Sequence, residues 1–483
     1  MLNYRSFALR KLASIGPKYL PFADVASDEV PLSRLLRLSL FQVTVGMALV
    51  LLVGTLNRVM IVELEVPASI VALMLALPLL FAPLRTLIGY KSDTHVSALG
   101  LRRVPYIWKG TLYQFGGFAI MPFALLVLSG YGEAIDAPMW IGHSAAALAF
   151  LLVGAGMHMV QTVGLALATD LVEDEDQPKV VGLMYVMLLL GMVVSALIFG
   201  ALLENYSPGR LIQVIQGSAV LTVALNLYAM WNQEARDRVR AAEMEKARPP
   251  KFEVALRGLL ERPGMTRLLL VIALGTFGYG MADVLLEPYG GQALGLSVAQ
   301  TTKLTALLAG GTLIGFGIAS RVLSQNGDPA RLGRIGAMIG LPGFAAIILS
   351  SMGSGLIVFL AGVALTGLGA GLFGHATLTA TMRAAPKGQI GMALGTWGAV
   401  QATCAGAAVA IAGVVRDVIV GTSSLTGIAA HSPYTVVFMI EIVMLALAVL
   451  VAVPLGLGKT EPRLRAKSTQ SVASTDPTSV EVS

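Results

Sequence analysis

Charge is what this 483-residue chain has least of: Asp, Glu, Lys and Arg together make up 13% of it, about half the share of an average soluble domain. Cysteine is almost missing. The one copy, Cys404, lies in an apolar stretch, so an intrachain disulfide and a thiolate metal cluster are both excluded. Extended polar segments are scarce too. Hydrophobic residues reach 55%, and apolar runs of about 18 residues or more recur along most of the length, each able to cross a hydrocarbon core as a helix. That pattern excludes a single soluble core and predicts an all-α integral membrane protein. The net charge of +6 does not point to nucleic acid, because the Lys and Arg sit in short connections between apolar runs, where they report topology.

The longest interruption before the C-terminal tail runs from Trp231 to Arg267 and carries nine Lys or Arg and the pair Pro249-Pro250. It divides the chain into an N-terminal segment (1–34), a six-helix half (35–231), a hinge (232–267), a second six-helix half (268–457) and a tail (458–483) expected to be disordered. Twelve spans are predicted, from Leu36–Ile61 through Ala68–Leu87 to Tyr434–Leu457. Basic residues alternate sharply between the loops. Arg85 to Lys109, the hinge, Arg321 to Arg334, Arg383 and Lys387 fall on one side, which makes both termini and the hinge cytoplasmic. Near the start, Tyr4, Phe7, Ala8, Leu12 and Ile15 share a helical face with Arg5, Arg10 and Lys11 off it. Two readings stay open, a helix on an anionic lipid surface and a plain basic tail. No apolar run follows before Leu35, so no cleavable signal is expected.

The halves repeat. GTLNRVMIVEL, Gly54 to Leu64, resembles GMADVLLEP, Gly280 to Pro288, and each closes the first span of its half. ATDLVEDEDQPKVVGL, Ala168 to Leu183, resembles ATMRAAPKGQIGMAL, Ala380 to Leu394, between the fourth and fifth spans. Six plus six helices in parallel repeat is the major facilitator architecture.

Ionisable groups deep in a span are expensive unless paired. Arg58 lies about 31 Å of helix beyond Arg37, and Asp283 and Glu287 sit one turn apart on the seventh span at similar depth. First and seventh spans are symmetry mates, so the expectation is an ion pair from Arg58 to these carboxylates across the halves. The alternative is that all three reach to headgroups. Pro288-Tyr-Gly-Gly291 after Glu287 is expected to break the helix and free backbone carbonyls. Gly369, Gly371 and Gly374 match G-x-G-x-x-G, but without a preceding strand they read as small residues for close helix approach. No nucleophile, histidine and acid set is visible.

Gly89-Tyr-Lys-Ser-Asp93 followed by Gly100-Leu-Arg102-Arg103 resembles the major facilitator signature G-x-x-x-D-R-x-G-R-R, with a longer gap before the arginine pair. The resemblance implies that Asp93 meets helix N-termini and that Arg102 and Arg103 join a cytoplasmic charge network. The acidic run Glu173 to Asp176 reads as a solvated loop or as a partner for those arginines. Longer words, LPFADVASDEVPLSRLLRLSLFQVTVGMA, LRTLIGYKSDTHVSALGLRRVPYIWKGTLYQFGG and DVLLEPYGGQALGLSVAQTT, resemble the PucC and LhaA group of purple photosynthetic bacteria. That group is also called the bacteriochlorophyll delivery family.

The resemblance, which spans Leu20 to Leu457, implies a non-enzymatic assembly factor for light-harvesting antenna, with the core ring around the reaction centre favoured over the peripheral ring. It implies bacteriochlorophyll a, with carotenoid as a further candidate, as bound cargo. Implied partners are the light-harvesting alpha and beta polypeptides, assembly intermediates of the reaction centre with its core ring, bacteriochlorophyll synthase and membrane lipids. The implied location is the inner membrane or the intracytoplasmic photosynthetic membrane. His158, with Gln161 on its face, and His375 are candidate pigment contacts, against the plainer reading of histidines bonded to a neighbouring helix. Small-residue stretches such as Gly362 to Gly374 are expected to help partner helices dock on the outer wall. A secondary transporter of a small solute or pigment is the competing reading.

Overall fold

A chain that crosses an apolar layer must satisfy its backbone N–H and C=O groups internally, and with these long apolar runs the helix does so within each segment. The computed structural model describes residues 30–80, 88, 92, 101–130, 134, 136–173, 176–234, 257–350, 355–384, 390–426 and 432–456. Among these residues all regular structure is helical. The spans are α1 (Leu32–Glu63), α2 (Ala68–Leu80), α3 (Val104–Leu128), α4 (Met139–Asp170), α5 (Gln177–Leu202) and α6 (Pro208–Met230). The second set is α7 (Met265–Leu294), α8 (Val298–Ser324), α9 (Pro329–Leu349), α10 (Gly355–Ala384), α11 (Ile390–Thr426) and α12 (Ser432–Ala452). Eleven helices are long and apolar enough to cross a membrane. The remaining one, α2, is shorter over its described part. Asp93, the N-terminal segment up to residue 29, most of the hinge and the tail lie outside the described residues.

Two departures from regular α-helix shape the molecule. In α1 the turns widen to π-helix over Val50–Leu56 and Val59–Glu63. In α7 the helix breaks at Met281, between Met265–Gly280 and Ala282–Leu294, and then continues as helix past Pro288. The break expected at Pro288-Tyr-Gly-Gly291 therefore lies two turns earlier. Proline in a helix interior leaves the carbonyl four residues back without its N–H donor, and the group that serves Val284 in its place is described below.

Glycines set the closest helix contacts. A β-carbon on Gly311 of α8 would lie 2.6 Å from the Ala364 carbonyl oxygen, one on Gly336 of α9 2.6 Å from the Phe373 nitrogen, and one on Gly362 of α10 2.8 Å from the Gly343 oxygen. Most glycines of the 362–374 stretch are thus covered by α8 and α9, because the backbones there touch. This corrects the expectation that they are free for a partner helix. Between the halves, α2 packs along α11 and α5 along α8. One end of the bundle carries the arginine-rich connections and is called the basic end; the other is the far end.

Candidate functional site

At the far end the repeat words Gly54–Leu64 and Gly280–Pro288 meet. Thr55 and Thr302 hydroxyls lie 3.2 Å apart, Asn57 Nδ2 donates to the Val284 carbonyl at 2.7 Å, and Arg58 donates to the Leu296 carbonyl at 3.1 Å. Glycines make room for the charged side chains. A β-carbon on Gly54 would lie 2.7 Å from Glu287 Oε1, and one on Gly291 would lie 3.1 Å from the Arg58 guanidinium. Each half therefore inserts one charged residue into a notch on the other.

The ion pair is not the expected one. Arg58 pairs with Glu63 of its own span, and Glu287 accepts a hydrogen bond from Thr305 of α8. Arg58 still acts electrostatically on Glu287 without reaching ion-pair distance. The π turns explain the choice of partner. Widened turns carry i to i+5 bonding, which brings residues five apart onto one face, and Arg58 and Glu63 are five apart. A reading on the α-helical period puts them on different faces. Tyr206, in the connection between α5 and α6, lies beside this pair: burial pushes its phenol pKa up, Glu63 adds to the rise and Arg58 opposes it.

Asp283 and Glu287 differ in surroundings. Glu287 is buried, whereas Asp283 alone of residues 281–290 is exposed although protein closely surrounds it, as expected at the wall of an internal cleft. Near it Glu441 of α12, fully buried, accepts the Ala282 N–H left open by the break in α7. Sequence reasoning passed over Glu441, although a lone carboxylate in the middle of a span is itself a signal. The far end is joined again where Asp417 of α11 accepts the Ser69 N–H at the start of α2 at 2.7 Å and pairs with Arg416 at 2.8 Å. Arg416 also donates to Gln292 of α7 at 3.0 Å.

At the basic end Arg103 Nε lies 3.1 Å and Arg102 3.6 Å from the Asp170 carboxylate that ends α4, and Arg103 donates to Ser92 at 2.8 Å. Asp170 is thus one partner of the arginine pair; in the Glu173 to Asp176 run, Asp176 pairs with Lys179, and residues 174 and 175 lie outside the described residues. Glu234, beyond α6, accepts the backbone N–H groups of Arg102, Arg103 and Val104 at 2.7 to 3.0 Å, and so caps the start of α3.

The two candidate histidines lie apart, one in each half. His158 and Gln161 are buried on α4. His375 of α10 lies against Phe316 with ring centres 4.1 Å apart; Phe316 is 6.3 Å from Tyr185 of α5, and Tyr185 meets Trp397 of α11 edge-on at 6.5 Å. That aromatic cluster crosses between the halves on the basic-end side. Inside the first half, Thr44, Asn226 and Thr111 form a buried chain of hydrogen bonds of 2.9 and 3.0 Å.

Solved structures share this architecture. A bacterial homologue of the human lysosomal transporter Spinster superposes with a TM-score of 0.63 at 15% identity, covering 87% of this chain and 95% of that one. The nucleoside transporter NupG gives 0.63 at 12% identity, covering 88% and 99%. These show a major facilitator fold of two six-helix halves. Among sequences, Protein PucC of Rhodobacter capsulatus is 69% identical over 94% of this chain and 99% of its own length, and Protein PucC of Cereibacter sphaeroides is 58% identical over 92% and 96%. A protein of the puhA-bchM intergenic region of Rhodobacter capsulatus is 48% identical over 92% and 94%. The family described as PUCC protein matches residues 55–460, and with relatives of this identity and coverage the chain is a member of the PUCC family.

Proposed function

We propose that this chain is a non-enzymatic assembly factor for bacterial light-harvesting antenna, which holds bacteriochlorophyll a and guides the antenna alpha and beta polypeptides. Family membership over residues 55–460 carries the reading. A more distant relative, 28% identical over 77% of this chain, bears the name bacteriochlorophyll synthase 44.5 kDa chain and adds support for the pigment. The location that goes with it is a photosynthetic membrane, with the basic end, both termini and the hinge on the cytoplasmic side.

The geometry shapes the mechanism. The far end is held by contacts from α1 to α7 and α8 and from α2 to α11, so a large apolar ligand enters from the bilayer or from the basic end. His375 fits a pigment in one respect: Phe316 packs against its ring at a tilt, Tyr185 and Trp397 continue the aromatic cluster, and a ring nitrogen of neutral histidine can meet the magnesium of the cargo. His158 with Gln161 is the second candidate.

The core ring around the reaction centre is placed ahead of the peripheral ring as client. The test reads both. Removing the chain from its host should lower the near-infrared absorption of an antenna ring while pigment synthesis continues, and the purified chain should carry bacteriochlorophyll absorbance that His375→Leu or His158→Leu reduces. Normal antenna in the deletion strain, or purified protein that binds a small polar solute and no pigment, favours a transporter and overturns the reading.

A further inference from the structure

A cavity of about 490 Å³ opens at the basic end between the start of α1 and the residues after α6, and its lining includes Arg34, Arg37 and Glu234. Its walls are built rather than incidental. Asn232 takes a left-handed backbone conformation, φ 52°, which turns the chain back after α6. Gln233, 1% exposed, then holds Arg34: the guanidinium donates to the Gln233 carbonyl at 2.9 Å, and the Gln233 amide donates back to the Arg34 carbonyl at 3.3 Å.

Arg37, one turn along α1, also lines the cavity, and its buried Nε has no hydrogen-bond partner among the described residues. The one carboxylate in the lining, Glu234, has both oxygens committed to the N–H groups that start α3. Two guanidinium groups thus face a space in which the one acid among the described lining residues is engaged elsewhere. A planar guanidinium with a free buried donor recognises a phosphate or carboxylate oxygen.

The neighbouring surface distinguishes a lipid from a free anion. Tyr228, in the cavity wall, is 59% exposed and Trp231 72% exposed, the placement of aromatic rings at headgroup level. Below them Leu227, Val220 and Leu221 present an exposed apolar strip on α6, where acyl chains would lie with the headgroup above. Basic pockets between spans at a membrane boundary are sites of this kind.

We propose that this cavity binds the phosphate of an anionic phospholipid from the leaflet at the basic end, with Arg37 as its principal ligand and Arg34 beside it. The lipid would tie the beginning of the first span to the end of the sixth. The test uses the full chain in a zwitterionic detergent, with phosphatidylglycerol, phosphatidylcholine or inorganic phosphate added, and reads retained lipid by native mass spectrometry and the thermal shift. Phosphatidylglycerol should be retained and stabilise. Arg37→Gln should lower its retention about fivefold or more, the loss expected for one cation at a lipid headgroup, whereas Arg331→Gln, exposed at the same end, should leave it unchanged. Arg37→Lys keeps the charge and loses the fork, and should fall between. Equal losses in the Arg37 and Arg331 variants, or wild-type retention in Arg37→Lys, would assign the effect to diffuse charge and overturn the site. Equal retention of phosphatidylcholine, a full thermal shift from inorganic phosphate, or no retained phosphatidylglycerol at all would also overturn it, the last by leaving the cavity to the chain's own residues.

Discussion

Asn57 of α1 donates its side-chain N–H to the carbonyl oxygen of Val284 in α7 at 2.7 Å, and that oxygen is the one Pro288 deprives of its helical donor. A residue of one half thus repairs a backbone defect in the other, and the repair exists only while the far end is together. Asn57→Ala should cost about 1 to 3 kcal/mol, the range for a buried acceptor left unsatisfied. In a Pro288→Ala background the new N–H reaches the same oxygen, so Asn57→Ala should cost clearly less there. Unfolding of the purified protein in detergent measures both, and equal losses in the two backgrounds would show that Asn57 acts some other way.

Gly54 tests the notch. A β-carbon there would lie 2.7 Å from Glu287 Oε1 and 2.9 Å from Thr305 Oγ1, so Gly54→Val should push α1 away from α7 and α8. With Cys404 replaced, a lone cysteine at Thr302, a position with no exposure in the folded chain, reports the opening. Labelling should quicken roughly tenfold, equivalent to about 1.4 kcal/mol of lost closure. Unchanged labelling would mean that the far end tolerates the bulk and is not held at this point.

Glu234 makes a prediction at the opposite end. Its carboxylate collects three otherwise open N–H groups at the start of α3, a negative group where the helix dipole favours one. Glu234→Ala should cost about 1 to 2 kcal/mol, as for loss of an N-cap. Glu234→Gln keeps an acceptor oxygen and should lose less. Equal melting temperatures for wild type and Glu234→Ala would exclude the capping role.

How far the sequence leads depends on which periodicity holds locally. The twelve spans follow from apolar runs alone, and the pairing of Gly54–Leu64 with Gly280–Pro288 places two matching segments that do touch. Side-chain partners were legible only where the helix is regular. Depth along the first span and its symmetry with the seventh direct Arg58 to Asp283 and Glu287, and the π turns of Val59–Glu63 turn it to Glu63 instead. Asp170 and Glu234 escaped notice because each lies at a span end, where a carboxylate reads as solvated until the neighbouring loop is folded onto it. Pro288 did free a carbonyl, but its user is a residue 227 positions away, beyond anything local spacing reports.

Arg58 carries the last prediction, and its sign differs from that of a simple bridge. The guanidinium is 4% exposed, whereas Glu63 is 37% exposed, so the pair itself contributes about 0 to 1 kcal/mol after solvent screening. Losing Glu63 alone leaves Arg58 its hydrogen bond to Leu296 and the nearby Glu287 carboxylate. Losing Glu287 alone, as Glu287→Gln, leaves Glu63 in place and an amide oxygen for Thr305. Removing both strands a buried cation, which costs about 3 to 5 kcal/mol. The double variant Glu63→Gln with Glu287→Gln should therefore be more harmful than the sum of the single variants, in thermal unfolding and in antenna formation alike. Arg58→Gln in that double background should recover part of the loss, because no cation is then left unpaired. Additive single effects, or no recovery on removing Arg58, would show that its charge is already satisfied by Leu296 and solvent, and that the far end is held by Asn57 and the glycine notches alone.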